Sequence, residues 1–134
     1  MEISPGITKK SARHVLVVDD EMLIRWSMAE TLTHAGYEVT EAGNAKEALQ
    51  RVSAAPAPDV ILLDYRLPDS NDLRLLETIR RVVPGSPVIM MTAYGTSEVV
   101  NGAAKLGAYR VVSKPVELRD LVPLIEQAYE SRPQ

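Results

Sequence analysis

Residues 60 to 64 read Val-Ile-Leu-Leu-Asp, and no other stretch limits the possible folds as much. Four consecutive large apolar residues without polar alternation fit a strand covered on both faces, which in a short chain means the middle of a parallel sheet. Asp64 closes the run. A carboxylate there stands at the carboxyl end of a central strand, the edge along which open α/β sheets collect their ligand sites. With 134 residues the chain has room for a single core, since domains commonly run about 100–150 residues.

The flanking sequence alternates strand and helix patterns around this run. Residues 1–13 mix Pro5, Gly6 and Lys9-Lys10 without periodicity and are expected to form a loose arm. His14 to Val18 predicts a first buried strand, followed by Asp19-Asp20-Glu21. Ile24, Met28, Leu32 and Ala35 then recur at helical spacing up to Gly36, a residue suited to a left-handed cap. Trp26 lies off that stripe and is expected to be half-buried. Tyr37 to Ala42 alternates, as a sheet-edge strand would. Asn44 and Glu47 have the spacing of a capping box for a helix to about Ser53, which Pro56 and Pro58 end.

After Asp64, an amphipathic helix is predicted from about Asn71 to Val83, with Leu73, Leu76, Ile79, Val82 and Val83 facing the core. Pro87 to Thr92 predicts another buried strand, Ser97 to Leu106 a helix weakened by Gly102, and Tyr109 to Val112 a fifth strand. The last helix, from about Leu118 to Tyr129, contains Pro123, which inside a helix costs about 3 kcal/mol unless the helix kinks or starts later. Residues 131–134 are expected to be a tail or the start of a linker. Five β-α units predict an α/β fold: a doubly wound, five-stranded parallel sheet of order 2-1-3-4-5, occupying residues 14–130.

Composition excludes several functions. A formal charge of −3 with few aromatics supplies neither the positive field nor the stacking surface of a nucleic-acid binder. The absence of cysteine removes disulfides, thiolate catalysis and cysteine metal sites. No apolar run reaches the roughly 18–20 residues of a membrane span, and the first residues lack a signal-peptide core. The expectation is a cytoplasmic protein with no membrane partner.

The predicted topology brings Asp19, Asp20, Asp64, Thr92 and Lys114 to one sheet edge. Each has a plainer reading alone: a solvated loop or helix cap for the acids, a surface charge for Lys114, a strand-end hydroxyl for Thr92. Together they favour a site. Clustered carboxylates raise one another's pKa and call for a cation, and an all-oxygen donor set favours a hard one, Mg²⁺. Lys114 and Thr92 do not improve a cation site but suit an anion beside it, such as a phosphoryl group, which a carboxylate can accept without a separate base. Neither a flavin phosphate loop nor a GxxxxGK[ST] loop is present.

The blocks LVVDDE at 16–21, ILLDYRLPDSND at 61–72, MTAYGT at 91–96 and GAYRVVSKP at 107–115 resemble the receiver domain of bacterial two-component response regulators, a flavodoxin-like receiver fold. Their wording is most similar to receivers of nitrogen-regulation-type transcription activators. The resemblance implies that Asp64 accepts a phosphoryl group from a sensor histidine kinase. It implies that Asp20, Asp64 and the backbone carbonyl of Arg66 bind Mg²⁺, with Asp19 acting through water. Lys114 would contact the phosphoryl group through a chain turn with a cis bond to Pro115, and Thr92 would turn inward and shift the surface made by the fourth helix, fifth strand and fifth helix. That surface is the expected dimer contact, and the output is expected from a C-terminal domain or a separate downstream protein. No turnover of an external substrate is expected beyond the chain's own phosphorylation and dephosphorylation.

Two positions depart from the family pattern. Val111 stands where an aromatic usually follows Thr92 inward, with Tyr109 expected on the same side by strand alternation; an alternative is therefore a receiver-like interaction module that no longer switches. Asp72 stands where the family usually has Gly, and would sit in a left-handed backbone with some strain. Arg66 and Tyr94 are expected to border the site. A Mg²⁺-dependent phosphatase would need an acid where Arg66 stands.

Overall fold

The computed structural model describes residues 13–132. Strands β1 (His14–Val18), β2 (Glu38–Ala42), β3 (Val60–Asp64), β4 (Val88–Thr92) and β5 (Arg110–Ser113) alternate with helices α1 (Met22–His34), α2 (Ala45–Ser53), α3 (Arg74–Val82), α4 (Ser97–Lys105) and α5 (Leu118–Glu130). The sheet is parallel, in the order β2-β1-β3-β4-β5. Every residue of β3 and β4 is buried, whereas the edge strands β2 and β5 are partly exposed. Uninterrupted apolar runs thus occupy the centre, as burial on two faces requires.

Side chains alternate between two cores. Leu16, Val18, Ile61, Leu63 and Met90 meet α2, α3 and α4 on one face through Ala48, Leu76, Ile79 and Ala103. Val15, Val17, Leu62, Ile89 and Met91 meet α1 and α5 on the other through Met28, Leu32, Leu121 and Ile125. The helices lie on both faces, so the sheet is doubly wound.

The start of α3 differs from the sequence expectation. It begins at Arg74 rather than Asn71, because Leu67 and Ser70 bond to each other across a tight loop and the Asp72 carboxylate accepts the Arg74 N–H at 2.9 Å. No non-glycine residue among those described has a positive φ, so Asp72, one residue before the N-cap Leu73, holds the first turn of α3 without left-handed strain. Val82 is 45% exposed while Leu75 joins the core. Trp26, at 56% exposure, lies on the surface rather than half-buried. Asn44 caps α2 as expected, accepting the Glu47 N–H at 2.8 Å, although Glu47 reaches back to the Gly43 N–H, one residue before the cap.

Arg13 does not belong to a loose arm. Its carbonyl accepts the Glu38 N–H at 2.8 Å, and its guanidinium pairs with Glu126 at 2.6 Å and lies 3.9 Å from the Tyr129 ring centroid. Arg132 lies 3.9 Å from the same centroid and pairs with Asp59 at 2.7 Å, so this part of the tail is also tied down. The remainder of the expected arm and tail, 1–12 and 133–134, falls outside the described residues. Among the described residues no helix is long and apolar enough to cross a membrane.

Gly102 is not an exposed weakness in α4: a Cβ there would lie 2.7 Å from a Leu73 methyl, so the missing side chain makes room for that residue. Helix α5 starts at Leu118 and continues through Pro123, burying Leu121, Leu124, Ile125 and Ala128. Packing on the sheet sustains the helix despite the lost backbone bond. In urea unfolding, Pro123→Ala is expected to stabilise the protein by about 1–2 kcal/mol, and Leu62→Ala to destabilise it by about 2–5 kcal/mol. A destabilised Pro123→Ala protein would contradict this account of α5.

Candidate functional site

The carboxyl ends of β1, β3, β4 and β5 place the expected residues together. Asp19 follows β1 and is fully buried; its N–H donates to the Ala42 carbonyl at 3.0 Å, tying it to the end of β2. Its Oδ1 accepts the Glu21 N–H at 2.9 Å. Asp20 is exposed beside it. Asp64 ends β3 at 5% exposure, with Oδ1 3.3 Å from the Arg66 N–H. Thr92 ends β4, is buried, and accepts the Tyr94 N–H on Oγ1 at 3.0 Å.

Lys114 follows β5. Its backbone N–H donates to the Thr92 carbonyl at 2.9 Å, extending the ladder past Ser113, and its bond to Pro115 is cis as expected. A second cis bond, Ala55-Pro56, carries no sequence signal that distinguished it from other prolines. From this position the Lys114 ammonium reaches over β4 and donates to Asp64 Oδ2 at 3.0 Å, Asp19 Oδ2 at 3.1 Å and Glu21 Oε1 at 3.1 Å.

Burial and neighbouring charges perturb the protonation of Asp64 and Lys114. Burial raises the Asp64 pKa to about 6; the Lys114 contact opposes the rise and the Asp19 charge adds to it. Burial works against the Lys114 charge, but the hydrogen bond it donates to Asp64 and the field of Asp19 outweigh it, and its pKa is raised.

Asp19, Asp20 and Asp64 each offer a carboxylate oxygen within 4.8 Å of the others. With no imidazole or thiolate in the set and Asp20 open to solvent, these donors fit a hard divalent cation that keeps water ligands. Asp20 and Asp64 line a cleft of about 580 Å³ whose lining also includes Glu21, Arg66, Thr92, Tyr94 and Lys114, roomy enough for a phosphoryl group. Arg66 and Tyr94 both line this cleft, bordering the site as expected, with the Arg66 guanidinium 5.3 Å from the Tyr94 ring centroid.

Three contributors escaped the sequence reading. Glu21 was visible as the third acid of its run, but its pairing with Lys114 depends on the fold. Arg25 donates to the Asp19 carbonyl at 2.7 Å and to Glu41 at 2.9 Å, bracing the loop after β1. Asp69 accepts the Ala45 and Lys46 N–H groups at 2.7 and 3.1 Å, fastening the loop after β3 to the start of α2; those bonds lower its pKa. Only the proximity of Asp69 to the LP turn could have hinted at this. Tyr109 also departs from expectation. It packs on the α1–α5 side while Val111 packs on the α3–α4 side, because β5 starts at Arg110 and strict alternation does not extend back to Tyr109.

Residues 15–126 match the family described as the response regulator receiver domain. The chain is 36% identical over 121 residues to the DNA-binding transcriptional regulator NtrC of Azospirillum brasilense, covering 90% of this chain and 25% of that protein. It is 38% identical over 122 residues to the response regulator protein PilR of Pseudomonas aeruginosa, covering 91% and 27%. The chain thus spans about a quarter of the length of these relatives. Among solved structures, the receiver domain of NtrX from Brucella abortus is similar with a TM-score of 0.78 and 35% identity, covering 87% of this chain and 98% of that one. A CheY-like receiver domain from Methanospirillum hungatei has a TM-score of 0.83 and 33% identity, covering 88% and 94%. The chain belongs to the response regulator receiver domain family, and its relatives include NtrC-type regulators.

Proposed function

We propose that this receiver is a phosphoacceptor in which Asp64 takes a phosphoryl group from the phosphohistidine of a sensor histidine kinase. The observation that carries the reading is the Asp64 carboxylate: it ends the central strand, faces the cleft and has the Lys114 ammonium 3.0 Å away. With a pKa of about 6 it is mostly ionised at neutral pH and able to act as nucleophile. One Asp64 oxygen attacks phosphorus, the phosphorus–nitrogen bond breaks, and its electron pair leaves with the imidazole.

Lys114 binds the transferred oxygens, and Thr92 exchanges its bond with the Tyr94 N–H for one donated to the phosphoryl group. Asp20, Asp64 and the Arg66 backbone carbonyl would hold Mg²⁺, with Asp19 acting through water. When bound, the ion neutralises charge on the phosphoryl oxygens. Movement of Thr92 then shifts residues 93–96 and α4, a helix whose buried anchor is Ala103, and so alters the face formed by α4, β5 and α5. That face would serve dimerisation and pass the signal to an output region. The names of the NtrC relatives, DNA-binding transcriptional regulators, support a transcriptional output outside this chain. A cytoplasmic location and the absence of external turnover belong to the same reading.

One observation favours a second reading, a receiver-like interaction module that does not switch. Val111 packs toward α3 and α4 while Tyr109 packs on the opposite side of the sheet, so neither supplies the aromatic that would follow Thr92. Beryllofluoride with Mg²⁺ separates the two: phosphoacceptor switching is expected to move the α4 amide resonances, and unchanged α4 resonances in a protein that binds the mimic would establish the second reading. Acetyl phosphate with Mg²⁺ is expected to add one phosphoryl group to the wild type and none to Asp64→Asn, as read by intact mass. An unmodified wild type would overturn the phosphoacceptor assignment.

Folding makes the Asp64 carboxyl hold its proton more tightly than its ordinary value of 3.8 allows. This group therefore favours the fold at low pH, and that benefit is lost as pH rises through about 6. In chelator at about pH 7.5, Asp64→Asn is expected to exceed the wild type in stability by on the order of 1–2 kcal/mol. Urea titrations should show the gap closing as pH falls below about 6. A gap that widens on acidification would contradict this linkage.

A further inference from the structure

We propose that Glu21 is a positioning residue for Lys114, holding its ammonium in the resting protein and releasing it when a phosphoryl group arrives at Asp64. The inference rests on the phosphoacceptor reading and deepens it. An ammonium has three N–H donors and no acceptor. Lys114 meets three carboxylates, those of Asp19, Glu21 and Asp64, each at 3.0 to 3.1 Å. All three donors are engaged. An oxygen of an incoming phosphoryl group can gain one only if an existing contact yields.

The three contacts differ in what their loss leaves behind. Asp19 is fully buried, so withdrawing Lys114 from it strands a carboxylate with little access to water, and Asp64, 5% exposed, keeps its charge and its need for Lys114 until its own bond to phosphorus forms. Glu21 is 57% exposed, and water replaces the ammonium there at small cost. Glu21 is the contact that yields. Its backbone is nevertheless well placed to restore the pair, because its N–H is bonded to Asp19 Oδ1 at 2.9 Å and its side chain lines the same cleft. The run Asp19-Asp20-Glu21 therefore divides its work: the first two acids complete the carboxylate cluster with Asp64, and the third competes with the phosphoryl group for Lys114.

Two substitutions separate a specific ion pair from the general effect of a nearby charge. Glu21→Gln removes the charge; Glu21→Asp keeps it on a side chain one methylene shorter, which draws the carboxylate back from Lys114. Binding of beryllofluoride at saturating Mg²⁺, followed by amide NMR shifts, tests the wild type first. Failure of the wild type to bind beryllofluoride and to accept phosphate from acetyl phosphate would overturn the phosphoacceptor reading, and this inference with it. With a competent wild type, both variants are expected to bind the mimic roughly two- to fivefold more tightly. Their half-saturating acetyl phosphate concentration should fall by a similar factor, with the maximal rate within about twofold of wild type. Without metal, the Lys114 ε-carbon resonance is expected to shift in Glu21→Asp. Tightening in Glu21→Gln alone, affinity unchanged or weakened in both, or an unmoved Lys114 resonance would each overturn the role assigned to Glu21.

Discussion

The contact between Lys114 and Asp64 is the interaction on which the candidate site depends, and the strand order of the sheet makes it possible. Asp64 terminates a strand buried along its whole length, and its own carboxylate is 5% exposed. Burial alone would drive such a group toward its neutral form; the ammonium 3.0 Å away moderates that effect. Lys114 reaches it only because β5 lies beside β4 and β4 beside β3, with the Lys114 N–H extending the ladder to Thr92. A different strand order would part the two charges. Topology and site chemistry are in this sense one constraint, and the position of Asp19 at the end of the adjoining β1 completes it.

Much of this was legible in residue pattern. Val60 to Leu63 placed the central strand, the alternation of Tyr37 to Ala42 placed an edge, and Gly36 marked a helix end where φ is indeed positive. The convergence of Asp19, Asp20, Asp64, Thr92 and Lys114 followed from topology once the strands were assigned. The less legible features depend on side chains meeting across the fold. Glu21 meets Lys114 and Asp69 caps α2 over long sequence separations, while Arg13 and Arg132 approach Tyr129 from the two ends of the domain. The late start of α3 is not legible because it depends on the Asp72 side chain accepting the Arg74 N–H, an alternative to the left-handed turn that glycine would favour.

The packing around Thr92 is asymmetric. Strands β3 and β4 are fully buried, whereas α4 contributes Ala103 as its buried residue and accommodates Leu73 against Gly102. A change at Thr92 thus meets a rigid sheet on one side and a lightly anchored helix on the other. Val111 fills its position against the α3–α4 core without the bulk of an aromatic, and Tyr109 belongs to the opposite core. The proposed switch therefore runs through Thr92, residues 93–96 and α4, because no aromatic ring packs at position 111 beside β4.

The central claim, that Asp64 itself carries the phosphoryl group, is tested most directly by trapping the acyl phosphate chemically. After incubation with acetyl phosphate and Mg²⁺, borohydride reduction converts a phosphorylated aspartate to homoserine, and peptide mass spectrometry locates the change. Homoserine is expected at Asp64 alone. Homoserine at Asp19 or Asp20 with Asp64 intact would contradict it.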